Sequence, residues 1–305
     1  MATINWSGVF PAVTTKFTAD EEIDFLTFEK NINAQLDAGV DGIILGGTLG
    51  ESSVLTNDEK AELVKFTVKK LAGRLPVILN IAEGSTREAI KQAQNASALG
   101  ASGLMLIPPM RYKSDHRETV TYFKTVANTT ELPIMIYNNP VDYKTEVTLA
   151  MFAELAECEN IQAVKESTRD ISNVTRMLNL FGDRFKILCG VDTLAMEELV
   201  MGAHGWVAGL VCAFPAETVA IFRLIKAGQY QEALEIYRWF LPLLELDIHP
   251  KLVQYIKLAE TVAGIGTEYV RAPRLPLTGK EREHILAIIN EALAKRPVLT
   301  EYMSL

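Results

Sequence analysis

At 305 residues, the chain is long enough for one large α/β domain or two ordinary ones, and its 49% hydrophobic and 22% charged content is typical of a globular protein with a sizeable core. A formal net charge of −8 argues against nucleic acid or an anionic membrane as the main partner, although it does not exclude a small anionic substrate. Three cysteines without a C-x-x-C pair and four scattered histidines argue against a disulfide framework and against a metal cluster.

The sequence also lacks the usual signals for export and membrane insertion. Its first residues contain no basic start followed by an apolar run, which argues against a signal peptide. No apolar stretch reaches the roughly 20 residues that a transmembrane helix needs. Because the thiols are also expected to stay reduced, we predict a cytoplasmic protein.

Short apolar runs alternate with amphipathic segments up to about residue 228. The predicted strands cover residues 9–15, 40–45, 75–81, 104–107, 133–137, 161–165, 185–189 and 206–210. The predicted helices cover residues 25–38, 56–72, 86–99, 115–127, 149–155, 170–180, 193–201 and 216–227. Apolar strands that alternate with helices indicate a parallel sheet covered by helices. Eight such units favour a closed (β/α)8 TIM barrel over an open doubly wound sheet, and no G-x-G-x-x-G follows the first strand to support a dinucleotide site.

Three further helical segments follow the barrel, at residues 231–244, 251–262 and 281–294. We therefore expect a barrel over residues 1–228 and a C-terminal helical region over residues 229–305. This region is predicted to be an appendage to the barrel and not a separate catalytic domain.

Lys165 ends the sixth predicted strand, and chemistry in a barrel of this type gathers at the C-terminal ends of the strands. A lysine that is partly stripped of water has a lowered pKa, and its free amine can attack a carbonyl or imine carbon. A lysine at the end of a strand is, however, more often simply exposed to solvent. The assignment therefore depends on the residues at the other strand ends.

Three features at those strand ends support a Schiff-base site, although each alone is weak. Tyr137 ends the fifth strand, where a tyrosine close to the lysine can move protons to and from the reacting carbon. The hydroxyl of Thr48 can orient that tyrosine through a hydrogen bond. The glycine-rich turn at residues 46–51 exposes backbone N–H groups that can hold a carboxylate.

Three motifs carry a resemblance to a known family. They are Gly47-Thr48-Leu49-Gly50-Glu51, Tyr137-Asn138-Asn139-Pro140 and Lys165-Glu166-Ser167. In this order and at this spacing they resemble the signatures of the dihydrodipicolinate synthase / N-acetylneuraminate lyase superfamily, and the similarity covers nearly the whole chain. The resemblance implies a barrel with a C-terminal helical region, usually assembled as a homotetramer, that acts on a small-molecule carboxylate without a metal or organic cofactor.

The resemblance also implies a role for individual residues. Lys165 forms an imine with a 2-oxo acid, Tyr137 is the acid and base, and Thr48 passes protons to Tyr137. The backbone N–H groups of Thr48 and Leu49 hold the substrate carboxylate. The remaining residues expected along the substrate are Gly47, Gly190, Val207, Arg111 and Asn139, with Tyr112, Asp142 and Tyr143 as further candidates near its far end.

Three departures from the synthases of the superfamily argue against a role in lysine biosynthesis. Leu49 replaces a second threonine or serine, so only a backbone contact to the carboxylate remains. Arg111 stands where the synthases place a relay tyrosine from a neighbouring subunit, with Tyr112 beside it. Asp142 replaces the arginine that holds the semialdehyde substrate, and an aspartate at this position would repel the carboxylate of that substrate.

The amino-acid sequences of three loops, at residues 108–113, 205–210 and 271–277, are most similar to a narrower branch of the superfamily. This branch is the Δ1-pyrroline-4-hydroxy-2-carboxylate deaminases of bacterial hydroxyproline catabolism. This similarity implies a Schiff-base deaminase that converts the cyclic imine to 2,5-dioxopentanoate and ammonia. The alternatives are a 2-keto-3-deoxy sugar acid dehydratase or a pyruvate-dependent aldolase of the same superfamily. An alternative of another class is a non-catalytic 2-oxo acid sensor.

Overall fold

The computed structural model describes residues 4–109 and 112–299. Its eight strands are β1 (Gly8–Pro11), β2 (Ile43–Leu45), β3 (Val77–Ile81), β4 (Gly103–Leu106), β5 (Ile134–Asn138), β6 (Ile161–Glu166), β7 (Lys186–Cys189) and β8 (Gly205–Ala208). All neighbouring strands pair in parallel, in the order β1-β8-β7-β6-β5-β4-β3-β2. A parallel bridge between Ala12 and Ile44 brings the first strand beside the second and closes the ring.

Helices cover the outside of the barrel and continue beyond it. They are α1 (Phe25–Ala38), α2 (Asn57–Leu71), α3 (Thr86–Ala98), α4 (His116–Ala127), α5 (Pro140–Tyr143), α6 (Leu149–Leu155), α7 (Ser172–Phe181), α8 (Ala195–Val200), α9 (Pro215–Lys226), α10 (Tyr230–Leu244), α11 (Leu252–Val262) and α12 (Gly279–Ala294). The predicted (β/α)8 barrel with a C-terminal helical extension is thus confirmed. The proposed domain boundary at residue 228 lies in the turn between α9 and α10 and stays a prediction.

Local sequence signals explain why the helices begin and end where they do. The Thr56 hydroxyl accepts a hydrogen bond from the Glu59 N–H, and the Glu59 carboxylate accepts one from the Thr56 N–H, so the two residues cap α2 reciprocally. A glycine ends the preceding helix, α1. Gly39 caps its C-terminus with φ 80°, a left-handed conformation that favours glycine. These caps were readable from the sequence and set the length of the helix in each unit.

The strands of the barrel are buried on both faces of the sheet. Nearly every strand residue is buried, because the helices cover the outside and side chains from opposite strands fill the inside. Polar side chains can leave the apolar interior at the ends of the strands, and Lys165 lies near the C-terminal end of β6. In the described residues, no helix is long and apolar enough to cross a membrane.

Two buried ion pairs join the C-terminal region to loops at the end of the barrel. The Lys16 ammonium lies 3.0 Å from Oε1 of Glu260 on α11, and the Thr14 hydroxyl donates to the same carboxylate. Lys257, also on α11, pairs with Glu51 in the glycine-rich turn after β2, and both side chains are completely buried. Burial lowers the pKa of Lys257 to about 8, even though the charge of Glu51 opposes that shift. The C-terminal region therefore supports the loops that surround the strand ends.

We expect the variant Lys257→Met to unfold at a lower temperature than the wild type, because the buried Glu51 carboxylate loses its nearest cation and keeps only the Arg274 guanidinium, 3.7 Å away. Removal of one partner from a buried pair costs on the order of 3–5 kcal/mol. The double variant Glu51→Gln/Lys257→Met removes the uncompensated charge and should recover part of that loss. Thermal unfolding followed by circular dichroism measures both effects.

The control for this experiment is Lys251→Met, which removes a lysine just before the same helix. Its ion pair with Glu281 is exposed, and exposed pairs contribute about 1 kcal/mol or less. A double variant as unstable as Lys257→Met, or a control as unstable as Lys257→Met, would contradict the interpretation of the buried pair.

Candidate active site

The lysine predicted to form the imine lies at the C-terminal end of β6, inside the ring of strands. Lys165 is paired with Tyr137 of β5 in the parallel register. Its Nζ lies 4.0 Å from the centroid of the Tyr137 ring, and only 8% of the residue is exposed. Burial lowers the pKa of Lys165 because the ammonium form loses its hydration, although Tyr143 and the carboxylates of Asp247 and Asp192 act in the opposite direction. Burial thus shifts the equilibrium of Lys165 towards the neutral amine, relative to an exposed lysine.

A single cavity above Lys165 collects most of the residues that the sequence nominated. The nominated residues that line it are Gly47, Thr48, Leu49, Tyr137, Asn139, Lys165, Gly190 and Val207. The ninth, Arg111, lies outside the described residues. Tyr112 is 56% exposed and does not line this cavity. Across residues 4–109 and 112–299, no group of three or more histidine, cysteine or acidic side chains could hold a metal ion.

The glycine-rich turn after β2 offers backbone donors to this cavity. Within the described residues, the N–H groups of Thr48 and Leu49 have no protein acceptor, and both residues line the cavity. The turn itself is fixed, because the Thr15 hydroxyl donates to the Gly50 carbonyl at 2.7 Å and the Asn80 amide donates to the Gly46 carbonyl at 2.9 Å. Two unpaired N–H groups on a rigid turn are suited to an anion such as a carboxylate.

The Thr48 hydroxyl has a different partner from the one expected. The sequence paired Thr48 with Tyr137, whereas in the structure Oγ1 of Thr48 shares a hydrogen bond of 2.7 Å with Oη of Tyr143. The rings of Tyr143 and Tyr137 meet edge to face, with centroids 5.3 Å apart and planes at 88°. Tyr143 reaches this position because Asn139 caps α5 and Pro140 starts it, so a single helical turn brings the tyrosine back over the strand ends. The contact links Thr48 to Tyr137 only through Tyr143.

Asn139 orients the phenol of Tyr137. Its Nδ2 donates to Oη of Tyr137 at 3.1 Å and to the Asp142 carboxylate at 2.7 Å. Burial raises the pKa of Tyr137 to about 12, although the hydrogen bond from Asn139 lowers it in part. Burial likewise raises the pKa of Tyr143. Both phenols therefore start as neutral proton donors beside an amine whose charged form is disfavoured by burial.

Gly190 is required by a close approach of the Lys165 side chain. A β-carbon at position 190 would lie 2.1 Å from Oγ of Ser167 and 2.6 Å from Cγ of Lys165. Any larger residue would therefore push the lysine out of its present position. The Ser167 hydroxyl lines the same cavity and is buried without a hydrogen-bond partner among the described residues.

Several residues of the site were not identified as functional from the sequence. Asp192 accepts hydrogen bonds from the Trp206 indole at 2.9 Å and from the Leu210 N–H at 2.8 Å, and so fixes the end of β8. Asp247 and Arg169 also line the cavity. Asp192 follows a predicted strand, which is a usable signal, but nothing near Asp247 in the sequence indicates that the C-terminal region enters the site.

Comparisons with known proteins agree with this architecture. Residues 5–292 match the model of the dihydrodipicolinate synthetase family. A 4-hydroxy-tetrahydrodipicolinate synthase of Exiguobacterium sibiricum is 34% identical over 275 residues, which cover 89% of this chain and 92% of that protein. The structure of dihydrodipicolinate synthase DapA-2 from Bacillus anthracis superposes with a TM-score of 0.90 at 28% identity, covering 94% of this chain and 99% of that one.

A third similar structure is the chloride-inhibited dihydrodipicolinate synthase of Acinetobacter baumannii, complexed with pyruvate. It has a TM-score of 0.88 at 25% identity and covers 94% of this chain and 99% of that chain. The family match spans the barrel and most of the helical region that follows it. The chain therefore belongs to the dihydrodipicolinate synthetase family, a family of Schiff-base lyases.

Proposed function

We propose that the chain is a lysine-imine deaminase, which converts Δ1-pyrroline-4-hydroxy-2-carboxylate to 2,5-dioxopentanoate and ammonia in hydroxyproline catabolism. The observation that carries this proposal is the charge that the loops add to the cavity. Among the described residues, the ionisable groups that these loops add are the Asp142 and Asp247 carboxyls and the exposed Arg169 guanidinium. The charge of the Asp142 carboxylate disfavours a substrate with a second carboxylate beside it, and the Asp247 carboxyl can hydrogen-bond a hydroxyl or a nitrogen of the substrate.

The first half of the proposed reaction uses the glycine-rich turn and the lysine. The free N–H groups of Thr48 and Leu49 bind the substrate carboxylate and place the adjacent C2 within reach of Lys165. The neutral amine attacks C2, the ring nitrogen takes up one proton from the attacking nitrogen and a second from Tyr137, and the C2–N bond to the ring nitrogen breaks. The product of this transimination is an open chain, bound to Lys165 as an iminium and carrying a free amine at C5.

The second half of the reaction uses Tyr137. Because burial raises its pKa to about 12, the phenol first acts as an acid and gives its proton to the departing ring nitrogen. The resulting phenolate lies beside the positive iminium, which stabilises it and also makes the C3 proton acidic. Removal of that proton gives an enamine, which expels the C4 hydroxyl as water. A shift of the double bond then leaves an imine at C5, and hydrolysis at C5 and C2 releases ammonia and the oxo acid.

The names of the relatives favour a competing function. The relatives reported above are synthases, so condensation of pyruvate with aspartate semialdehyde is the second candidate. Dehydration or aldol cleavage of a 2-keto-3-deoxy sugar acid is a third, because it uses the same imine and enamine. A non-catalytic oxo acid sensor is disfavoured by the neutral amine and the adjacent phenols. The homotetramer implied by the family stays a prediction, and one structural relative is a monomeric variant.

We expect the purified wild type to release ammonia and 2,5-dioxopentanoate from the pyrroline at least 100-fold faster than it turns over either alternative substrate. Ammonia is measured with a coupled glutamate dehydrogenase assay, and the oxo acid by mass spectrometry. The parallel assays use pyruvate with aspartate semialdehyde and a 2-keto-3-deoxy sugar acid. Preferential turnover of either alternative would replace the deaminase by the corresponding synthase or sugar acid enzyme.

We expect Lys165→Ala to abolish turnover and borohydride trapping, since no other described side chain replaces the amine. In the wild type, borohydride should fix pyruvate to Lys165 as a covalent adduct that peptide mass spectrometry locates. Because burial lowers the pKa of Lys165, trapping should persist at pH values below the range in which an ordinary lysine loses its proton. The control Lys186→Ala removes the half-exposed lysine at the start of β7 and should leave trapping intact. Full trapping in Lys165→Ala would exclude the covalent mechanism.

The hydrogen-bonded pair of Thr48 and Tyr143 should act as one unit. Tyr143→Phe and Thr48→Val are each expected to lower kcat by about 10²-fold, in the range of general acid–base effects, with a small change in KM. The double variant should lose little more than either single variant, because both remove the same interaction. The control Tyr230→Phe alters an exposed phenol at the start of α10. Losses that multiply in the double variant would show that the two hydroxyls act independently.

A further inference from the structure

The C-terminal region contributes an acidic side chain to the cavity. Asp247 lies on the short 3₁₀ turn Glu245–Ile248, between α10 and α11, and lines the cavity that contains Lys165 and Tyr137. Its carboxyl is packed against the backbone at the end of β8, since a β-carbon at Gly209 would lie 2.4 Å from Oδ1 of Asp247 and 2.9 Å from its Cγ. Gly209 therefore leaves the space that the carboxyl occupies.

The carboxyl of Asp247 is available to a ligand. No described residue forms a hydrogen bond with it, although it is enclosed by the cavity walls. The charged and titratable groups that face it are Asp192 after β7, Lys165 on β6, Asp142 on α5 and Arg169 after β6. Burial and the charge of Asp192 raise the pKa of Asp247 well above its ordinary value, against the opposing effect of Lys165. A carboxyl whose protonated form is favoured in this way can donate a proton, and the carboxylate that remains can then accept one.

We propose that Asp247 is the acid that protonates the C4 hydroxyl as it leaves the enamine, and the base that then removes a proton from C5. This assignment rests on the function proposed above. It follows from the position of a hydrogen-bond-free carboxyl in the same cavity as Lys165 and Tyr137.

The two proton transfers balance. The nitrogen lone pair of the enamine restores the C2 iminium, the C2–C3 double bond shifts to C3–C4, and the C4–O electron pair leaves with the Asp247 proton as water. The Asp247 carboxylate then takes one proton from C5, and the electrons of that C–H bond form a C4–C5 double bond. Tyr137 returns to C3 the proton that it removed earlier. Asp247 is neutral again, and the C5 enamine tautomerises to the imine that water hydrolyses.

The test compares Asp247→Asn with the wild type on three reactions that separate the steps. The first is exchange of the pyruvate methyl protons in D₂O, followed by NMR, which needs imine and enamine formation but no leaving group. The second is ammonia release from the hydroxylated pyrroline. The third is fluoride release from 4-fluoro-Δ1-pyrroline-2-carboxylate, whose leaving group departs without protonation. The matched control is Glu245→Gln, an exposed carboxylate on the same short turn.

We expect Asp247→Asn to exchange pyruvate protons within about 3-fold of the wild type and to release ammonia at least 100-fold more slowly, in the range of general acid catalysis. Fluoride release should fall by less than about 10-fold, because it bypasses the acid. Glu245→Gln should match the wild type in all three reactions.

Three results would overturn the assignment. Ammonia release at the wild-type rate would show that Asp247 is not needed. Equal losses of ammonia release and of fluoride release in Asp247→Asn would show that Asp247 only positions the substrate. Loss of pyruvate proton exchange in this variant would show that Asp247 acts on Lys165. If the wild type exchanges pyruvate protons but releases no ammonia from the pyrroline, the proposed function itself fails and this assignment fails with it.

Discussion

The structure depends on holding the amine of Lys165 in a buried position within a cavity that also contains carboxyls. Burial disfavours the ammonium form of Lys165, but nearby carboxyls favour it, so the outcome depends on how each carboxyl is held. Asp192 is occupied by the Trp206 indole and the backbone N–H groups at the end of β8. Burial and the charge of Asp192 raise the pKa of Asp247, which favours its protonated form. The cavity thus contains acids close to a nucleophile without forming the salt bridge that would inactivate it.

The C-terminal helical region takes part in this arrangement in two ways. Lys257 on α11 pairs with Glu51 and so supports the turn whose unpaired N–H groups belong to residues that line the cavity. The 3₁₀ turn that precedes α11 places Asp247 inside the cavity. An ion pair with a buried lysine contributes little net stability, since the desolvation of both charges offsets their attraction. Its value here is geometric, because it fixes the distance between the carboxylate-binding turn and the helices that cover it.

The sequence predicted the parts of this molecule that follow from local and periodic patterns. The eight strand–helix units and the position of Lys165 at a strand end could be read from apolar runs, glycines and caps. The partner of Thr48 could not, because it depends on a single turn of helix at Pro140–Tyr143 that no periodicity signals. Asp247 was missed for a similar reason, since its approach to Gly209 depends on how the C-terminal helices pack against the strand ends. Contacts between distant segments are decided by packing, and a single sequence contains no pattern that shows them.

The hydrogen bond between Thr48 and Tyr143 also shows which tyrosine of this chain supplies a hydroxyl to Thr48. The resemblance to the synthases implied that a tyrosine from a neighbouring subunit would complete the proton relay, and the aligned position in this chain is Arg111. In this structure a tyrosine of the same chain bonds Thr48 and contacts the ring of Tyr137. The amine, both phenols and the carboxylate-binding turn therefore come from one chain. Among the described residues, the hydroxyl that Thr48 bonds is therefore supplied by the loop after β5 of the same chain.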